Sequence, residues 1–398
     1  MKKRNDKKAA PGGIVTVSVF LTIILGFGAA SIICPDREFS DMENRRLQQA
    51  PEFSLQRLRD GTFTSDIEKY MSDQIFLKDQ LVGLRTAADR ALAKSYLNGV
   101  YFGKDGYYLQ DFQLNEEMIR KNMGCLTDFA ETVKGSAEVS MLLAPNSISV
   151  LSEKLPGFTQ TDDQRRAVAI AEEMAQDGGF ESFFCPLAFM QENEDKDSFY
   201  YRTDHHWTDA GARAAYDLFL DSQGKPTVPA PESYKELPGF LGTLYSKAPQ
   251  TGVRADTVYL PECGEVTVSY ISPAGDHQVP AECEEQEGVS WKSGLYAAEP
   301  METKDKYAAI MGGNFALCEI ETSADSDESI LILKDSYANA VLPYLCRNYR
   351  HISLIDLRYY HMEERTVSEY LKEKGIQKVL CIYNIDFLNS DNNFVWLE

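Results

Sequence analysis

The stretch Ser329-Ile-Leu-Ile-Leu-Lys-Asp-Ser-Tyr-Ala-Asn339 runs from an apolar segment through a polar turn into a helical pattern. The same alternation continues towards the end of the chain, with apolar runs from His351 and from Lys378 and helical periodicity over residues 338–347 and 366–374. Strands that are apolar throughout and alternate with helices are typical of parallel sheets covered on both faces. The sequence therefore predicts an α/β fold with a mainly parallel sheet, whose ligands bind beyond the carboxyl ends of the strands.

Two further regions precede and interrupt this pattern. Residues 35–97 have mixed three- and four-residue apolar spacing, which indicates a helical stalk or the first helical layer of the domain. Residues 98–398 are predicted to form the α/β domain itself. Within it, the segment at about 226–300 is rich in Pro, Gly, Glu and Thr, and it predicts an inserted region of loops and short antiparallel strands.

An uncharged stretch near the start of the chain predicts a membrane anchor over residues 13–34. Its apolar part runs from Ile14 to Cys34, and about 20 apolar residues span a bilayer. Residues 1–12 form a basic tail, so the positive-inside rule predicts that this tail is cytoplasmic and that the rest of the chain lies outside. The small residues Gly28-Ala29-Ala30 leave a cleaved signal peptide as the alternative.

Charge and cysteine usage exclude some classes of protein. The chain carries 61 acidic and 40 basic residues, a formal net charge of -21, which argues against a nucleic-acid partner because a polyanion would be repelled. None of the eight cysteines forms a CxxC pair, so neither a zinc ribbon nor a thioredoxin-type motif is indicated. Cys263 and Cys283 flank an acidic stretch and could close a loop by a disulfide.

A second polar motif, Tyr201-Arg-Thr-Asp-His-His-Trp-Thr208, contains two of the five histidines. Imidazole titrates near neutral pH, so a histidine beside a carboxylate is a candidate proton-transfer pair. In an extended segment Asp204 and His206 would point to the same side, and His205 would point away. Thr208 is expected to cap the helix that follows. A capped helix start with structural histidines is the competing interpretation.

The polar turn of the opening stretch offers a partner for this pair. At a strand-to-helix turn the hydroxyl of Ser336 would project above the sheet edge, in front of the N–H groups of a helix N-terminus. Alternatively, Ser336 or Asp335 only caps the helix. Taken together, Asp204, His206 and Ser336 offer the orienting carboxylate, base and nucleophile of acyl-transfer catalysis.

Four further residues are candidates for stabilising an oxyanion or contacting substrate. Met311-Gly-Gly-Asn-Phe315 supplies Gly313 and Asn314, although two glycines beside an asparagine are also an ordinary turn. Tyr337 and His205 are candidates through their positions beside the proposed triad. A metal site built from the Asp-His-His triplet is the poorer hypothesis, because adjacent residues rarely supply adjacent ligands. We therefore predict neither a metal nor a cofactor.

The motif at residues 201–208 resembles the signature of the DHHW proteins of Gram-positive bacteria. The likeness covers nearly the whole chain beyond the apolar stretch. It includes residues 39–46, 99–109, 312–314, 334–339 and 355–360.

This resemblance carries expectations about fold and site. DHHW proteins are similar to the alginate O-acetylation proteins of the SGNH-hydrolase-like class, which implies a three-layer α/β/α domain. In that class the Asp-x-His element precedes the serine, a circular permutation of the usual SGNH order. The family's triad carries over to Asp204, His206 and Ser336. The additional His205 departs from the Asp-Thr-His triplet that is usual in the wider class.

Three functions are consistent with these observations. The resemblance implies an extracytoplasmic, membrane-anchored O-acyltransferase that acetylates a cell-surface polysaccharide, with a membrane-bound O-acyltransferase supplying the acyl group. An acetyl-esterase would use the same triad, with water in place of the sugar hydroxyl. A non-catalytic polysaccharide-binding or assembly protein is the third interpretation, supported by the aromatic content of 11%.

Overall fold

The computed structural model describes residues 11–40, 42–272, 279–286, 289–361 and 365–397. The chain divides into two compact units, one of residues 1–93 with 249–251 and one of residues 94–248 with 252–398. Most of the predicted basic tail lies outside the described residues.

The first unit is mainly helical. Its elements are α1 (Pro11–Ile33), β1 (Phe39–Ser40), β2 (Arg45–Arg46), α2 (Leu55–Arg59), α3 (Thr62–Asp73) and α4 (Lys78–Ala91). Within α1, Val15–Ile33 is long and apolar enough to cross a membrane, a test of length and composition that a signal sequence also passes.

The second unit alternates strands and helices. Its strands are β3 (Tyr96–Leu97), β4 (Val100–Phe102), β5 (Tyr108–Gln110), β6 (Glu138–Ala144), β7 (Ser182–Phe184), β8 (Tyr234–Phe240), β9 (Asp256–Pro261), β10 (Val266–Ser272), β11 (Glu284–Gln286), β12 (Val289–Ser293), β13 (Leu317–Thr322), β14 (Ser329–Lys334), β15 (His351–Ile355) and β16 (Lys378–Asn384). Its α-helices are α5 (Glu116–Val133), α6 (Ser147–Val150), α7 (Gln164–Asp177), α8 (Leu187–Glu192), α9 (Asp209–Ser222), α10 (Thr243–Lys247), α11 (Ala298–Glu302), α12 (Leu342–Leu345), α13 (Val367–Lys374) and α14 (Ile385–Ser390).

Among the described residues, nine strands form one mixed sheet in the order β11-β12-β10-β13-β15-β14-β16-β6-β7. The half from β15 to β7 is parallel, and the half from β11 to β15 is antiparallel. The α/β class is confirmed, but the sheet is mixed and antiparallel pairs are as frequent as parallel ones. The apolar strand of the opening stretch, β14, is buried within the parallel half, with Leu331, Ile332 and Leu333 inaccessible to solvent.

The antiparallel half of the sheet comes largely from the segment predicted as an insertion. Strands β10 to β12 lie between residues 266 and 293, and β10 pairs with β13 and so joins the sheet. Strands β8 and β9 pair separately with each other. The short antiparallel strands were therefore predicted, whereas their place in the central sheet was not. The disulfide allowed by the spacing is not formed, because Cys263 and Cys283 are both free thiols.

The parallel strands fix the position of the polar turns. Strands β14, β16 and β6 are neighbours that run in the same direction. Their carboxyl ends therefore meet at one edge of the sheet. Residues that follow these ends include Asp335 and Ser336 after β14 and Asn146 after β6, while Asn384 closes β16. This edge carries the candidate site.

Candidate active site

Asp335 shapes the turn that presents Ser336. One carboxylate oxygen accepts the Tyr337 N–H at 2.8 Å, and the other accepts the backbone N–H and the side-chain N–H of Asn384, both at 2.7 Å. Asp335 is thus the N-cap of the short 3-10 helix Ser336–Val341. The sequence left open whether Asp335 or Ser336 caps this helix. Since Asp335 is the cap, the hydroxyl of Ser336 is available for another partner.

A similar turn presents His206. Oδ1 of Asp204 accepts the backbone N–H of His206 at 3.0 Å. Oδ2 accepts the Thr243 N–H at 2.7 Å and its hydroxyl at 3.0 Å. The segment is a bend and not an extended strand, so the two side chains meet because of the turn. Gly242, the residue before Thr243, packs so closely on Asp204 that a Cβ at this position would lie 2.2 Å from Cβ of Asp204. Only glycine fits there without a shift of the neighbouring residues.

The two turns bring three side chains into one hydrogen-bonded chain. Nδ1 of His206 lies 2.5 Å from Oδ1 of Asp204, and its Nε2 lies 2.7 Å from Oγ of Ser336. Asp204 and His206 are buried, whereas Ser336 is partly exposed. An Nδ1–H donated to the carboxylate leaves the Nε2 lone pair facing the serine hydroxyl, which is the arrangement that a general base requires.

The environment keeps the imidazole neutral and the carboxylate charged. Burial, assisted by the neighbouring His205, lowers the pKa of His206 to about 4, although Asp204 acts in the opposite direction. Burial alone would raise the pKa of Asp204, but the two histidines outweigh it and hold that pKa well below the usual range. A neutral imidazole at neutral pH can accept the proton of Ser336.

The sequence predicted that His205 points away from the pair of Asp204 and His206, but in the structure it does not. Its ring packs against that of His206 with centroids 3.8 Å apart, and its Nδ1 lies 2.6 Å from Oγ1 of Thr243. The reason is the bend at this position, which removes the strict alternation of an extended strand. Through Thr243, His205 is connected to the carboxylate of Asp204.

Tyr307 is a site residue that the sequence analysis missed. Its ring stacks on His206, with centroids 3.9 Å apart and an interplanar angle of 13°. Its hydroxyl donates to the carbonyl oxygen of Ser336 at 2.8 Å. Tyr307 therefore restrains both the base and the serine turn. It lies in a short 3-10 helix without a motif, so the sequence offered no signal for it.

The aromatic residues beside the triad join the two turns. The indole N–H of Trp207 donates to the carbonyl oxygen of Tyr337 at 2.9 Å, and the hydroxyl of Tyr337 donates to the carbonyl oxygen of His205. Tyr337 also accepts from Nδ2 of Asn146 at 2.9 Å. Tyr337, predicted as a substrate or oxyanion candidate, is fully buried. The structure therefore places it beneath the site, holding the backbone of one turn to that of the other.

Asn314 lies beside the serine turn, where it contacts residues on both sides of Ser336. Its Oδ1 accepts from Lys334 at 2.8 Å and from Asn339 at 3.3 Å, so the amide oxygen is engaged and the amide nitrogen is the donor end of the side chain. Gly313 adopts φ 130°, a conformation favoured by glycine. Ser336 opens its helix, and its own N–H is one of those that a helix leaves without an internal acceptor.

A buried ionic cluster supports this side of the turn. Nζ of Lys334 lies 3.7 Å from Asp356, which Arg358 also contacts through two N–H groups at 2.9 and 2.5 Å. Burial lowers the pKa of Lys334, and Asp356 opposes that shift. The sequence resemblance over residues 334–339 and 355–360 includes this cluster.

The Asp-His-His triplet could also hold a metal ion on distance alone. Ligand atoms of Asp204, His205 and His206 all lie within 4.8 Å of one another. Adjacent residues rarely supply adjacent ligands, but this bend brings the ligand atoms of three consecutive residues together. However, both ring nitrogens of His206 and both oxygens of Asp204 already form hydrogen bonds within the protein. A metal would have to displace these bonds.

Comparison with known proteins extends these observations. A family model described as DHHW protein matches residues 84–355, more than half of the chain and all three members of the hydrogen-bonded chain. A solved DHHW family protein from Eubacterium siraeum is 22% identical, with a TM-score of 0.59, over 75% of this chain and 94% of that chain. No curated protein matches the chain.

Two solved structures of PatB1 from Bacillus cereus are also similar. One is 21% identical with a TM-score of 0.57, over 75% of this chain and 99% of that chain. The other, which carries a sulfonyl adduct, is 20% identical with a TM-score of 0.55, over 75% of this chain and 100% of that chain. At this level of identity the likeness concerns the fold.

Proposed function

The chain belongs to the DHHW family, and we propose that it is a membrane-anchored O-acyltransferase that acetylates a cell-surface polysaccharide outside the cytoplasm. The observation that carries the proposal is the continuous hydrogen-bonded chain from Asp204 through His206 to Ser336. Its three members have the chemistry of an orienting carboxylate, a base and a nucleophile.

In the proposed reaction, Oγ of Ser336 attacks the carbonyl carbon of the acyl donor while Nε2 of His206 takes the hydroxyl proton. The tetrahedral intermediate collapses to an acyl-serine, and His206 returns the proton to the leaving group. A sugar hydroxyl then attacks the acyl-serine, His206 accepts its proton, and collapse regenerates the Ser336 hydroxyl with that proton. Asp204 stabilises the imidazolium in both half-reactions.

The oxyanion of each tetrahedral intermediate needs donors near the serine. We assign this role to the backbone N–H groups of Ser336 and Gly313 and to the side-chain amide of Asn314. The engaged oxygen of Asn314 supports the assignment, because it identifies the opposite, NH₂ end of the side chain as a hydrogen-bond donor.

The family resemblance implies two further parts of the proposal, a three-layer SGNH-like arrangement of the second unit and a membrane-bound O-acyltransferase that delivers the acyl group across the bilayer. The sequence near the start of the chain supplies two others, α1 as an uncleaved anchor and an amino terminus in the cytoplasm. The apolar length of Val15–Ile33 supports the anchor.

Replacement of the nucleophile tests the proposal in cells. We expect Ser336→Ala to abolish acetylation of the surface polymer, measured as acetate released by mild base from purified envelope polysaccharide. Ser390→Ala is the matched control, since this serine is exposed and its hydroxyl donates to the carbonyl oxygen of Asp386 in its own helix. Unchanged acetylation in Ser336→Ala cells would refute the proposal.

A second experiment separates transfer from hydrolysis and from binding alone. The full-length protein in detergent is given an acetyl-ester reporter with and without an oligosaccharide acceptor. Acetylated oligosaccharide is expected; release of free acetate alone, unaffected by acceptor, would instead identify an esterase. A sulfonyl fluoride probe should label Ser336, as the sulfonyl adduct of PatB1 suggests, and absence of labelling would favour a non-catalytic binding protein.

A further inference from the structure

The turn between α3 and α4 contacts the apolar helix α1 directly. The backbone N–H of Phe76 donates to Oγ of Ser31 at 2.9 Å. The Phe76 ring packs edge-on against Phe27, with centroids 6.2 Å apart. Both partners in α1 lie inside its candidate membrane span.

These contacts define a depth, provided that α1 is the anchor of the proposed function. A helix rises about 1.5 Å per residue, so the 19 residues Val15–Ile33 are about as long as the roughly 30 Å hydrocarbon core that they must cross. The whole span is therefore needed inside the bilayer. Phe27 lies about 9 Å and Ser31 about 3 Å below its outer end. Since Phe76 contacts both, it lies below the outer boundary of the hydrocarbon core.

The residues around Phe76 match that depth. Ile75, Phe76 and Leu77 are consecutive apolar residues at the tip of the turn, and Ile75 and Leu77 are 40% and 43% exposed. Leu77 adopts φ 56°, a left-handed conformation that is costly for a leucine and that holds the tip tightly folded. Exposed apolar side chains on such a tip would gain free energy by transfer from water to lipid.

Polar groups bound the apolar tip on the side away from the membrane. The side-chain amide of Gln74 pairs with both backbone groups of Arg37, and the Arg37 guanidinium contacts Asp79 at 2.7 Å. Lys78 contacts Asp73 at 3.0 Å. Arg37 follows the end of α1 by four residues, so these charges lie at the level of the lipid headgroups. They limit how deeply the tip can enter.

We propose that Ile75-Phe76-Leu77 is a second membrane-contacting element of this protein, inserted beside α1 among the acyl chains of the outer leaflet. Lipid acyl chains contact its exposed side chains. The element fixes the first unit against the membrane by a second point in addition to the anchor, which restricts rotation of that unit about the axis of α1.

Photo-crosslinking in the full-length protein tests this inference. The photoreactive residue p-benzoylphenylalanine is placed at position 75 or 77 and irradiated in native membranes with radiolabelled phospholipid. Position 20, in the middle of α1, is the positive control. Position 85 is the negative control, since Arg85 is a highly exposed residue of α4. We expect lipid adducts at 75 and 77 at least several-fold above those at 85.

The outcomes separate this inference from the proposed function. Lipid adducts at position 20 but none at 75 or 77 would overturn it and leave the anchor intact. Adducts of 75 or 77 with a second protein would also overturn it, and would identify the tip as a protein-binding surface. Absence of lipid adducts at position 20 would refute the anchor itself, on which the inference rests. Acetylation of the polymer is measured in the same cells and reports on the catalytic proposal separately.

Discussion

The turns at Asp204 and at Asp335 are built in the same way but serve different residues. In each, one carboxylate oxygen accepts the N–H two residues further along the chain. The other oxygen accepts a backbone N–H and a side-chain donor from a distant segment, Thr243 in one case and Asn384 in the other. The first turn presents the imidazole, and the second presents the serine hydroxyl.

The difference between the turns lies in their charge environment. Asp204 is beside two imidazoles, which hold its pKa well below the usual range despite burial. Burial dominates at Asp335 and raises its pKa, because mostly neutral N–H donors surround it. In the proposed function, the carboxylate of Asp204 stabilises charge on His206, whereas the similarly bonded carboxylate of Asp335 shapes the backbone. Mutations should affect catalysis at the first and folding at the second.

The largest effect is expected for Asp204→Asn. The amide that replaces the carboxylate would favour the tautomer with a proton on Nε2 of His206, which cannot accept from Ser336. We expect kcat to fall about 10,000-fold, measured with the acetyl-ester reporter. A loss below tenfold would show that Asp204 does not act on the imidazole. Thermal unfolding checks that the variant remains folded.

For Asp335→Asn we expect a larger loss of stability and a smaller loss of activity than for Asp204→Asn. The new NH₂ group would face N–H donors in place of an acceptor, so the free energy of unfolding should fall by about 2 kcal/mol. A displaced serine turn should lower kcat by about 100-fold, less than in Asp204→Asn. Denaturant unfolding gives the free energy of unfolding of both variants, and the acetyl-ester reporter gives their kcat. Equal stability of the two variants, with equal loss of activity, would contradict the prediction.

A smaller effect is expected for Thr243→Val. The substitution removes the hydroxyl that donates to Asp204 but keeps the backbone N–H donor and the side-chain volume. We expect kcat to fall about tenfold, by the value of one hydrogen bond to a charged group. Thr243→Ser keeps the hydroxyl and should retain most of the activity. If serine and valine have the same effect, the hydroxyl is not what matters.

The smallest effect on the rate at neutral pH is expected for His205→Gln, which should instead change the pH profile. Only neutral His206 can act as the base, so activity should fall as the pH drops through its pKa of about 4. His205 contributes to the lowering of that pKa, so its removal should move the acid limb to higher pH. Rates are compared over the pH range in which circular dichroism shows the fold intact. His351→Gln, at an exposed site, is the control, and an unmoved or lowered midpoint would contradict the prediction.

The elements with strong local periodicity were predictable from the sequence. Strand β14 and its partner β16 begin at Ser329 and Lys378, where the apolar runs begin in the sequence, and Thr208 caps α9 as its position indicated. The predicted helix over 338–347 begins instead as a 3-10 helix at Ser336 and continues as the short α12. The mixed sheet was not predictable, because alternation in β10 indicates a strand but does not identify β13 as its neighbour.

The apolar helix, the α/β core, and the two polar motifs that contain an aspartate, a histidine and a serine can all be recognised in the amino-acid sequence. How these groups meet depends on the tertiary structure. Thr243 and Tyr307, which lie in segments without motifs, contact Asp204 and His206. The Asp-His-His motif forms a bend, in which the ring of His205 packs against that of His206. Periodicity and capping are local properties of the chain, and the sequence therefore reveals them. Contacts between turns depend on which strands lie side by side, and that is fixed by packing of the whole unit.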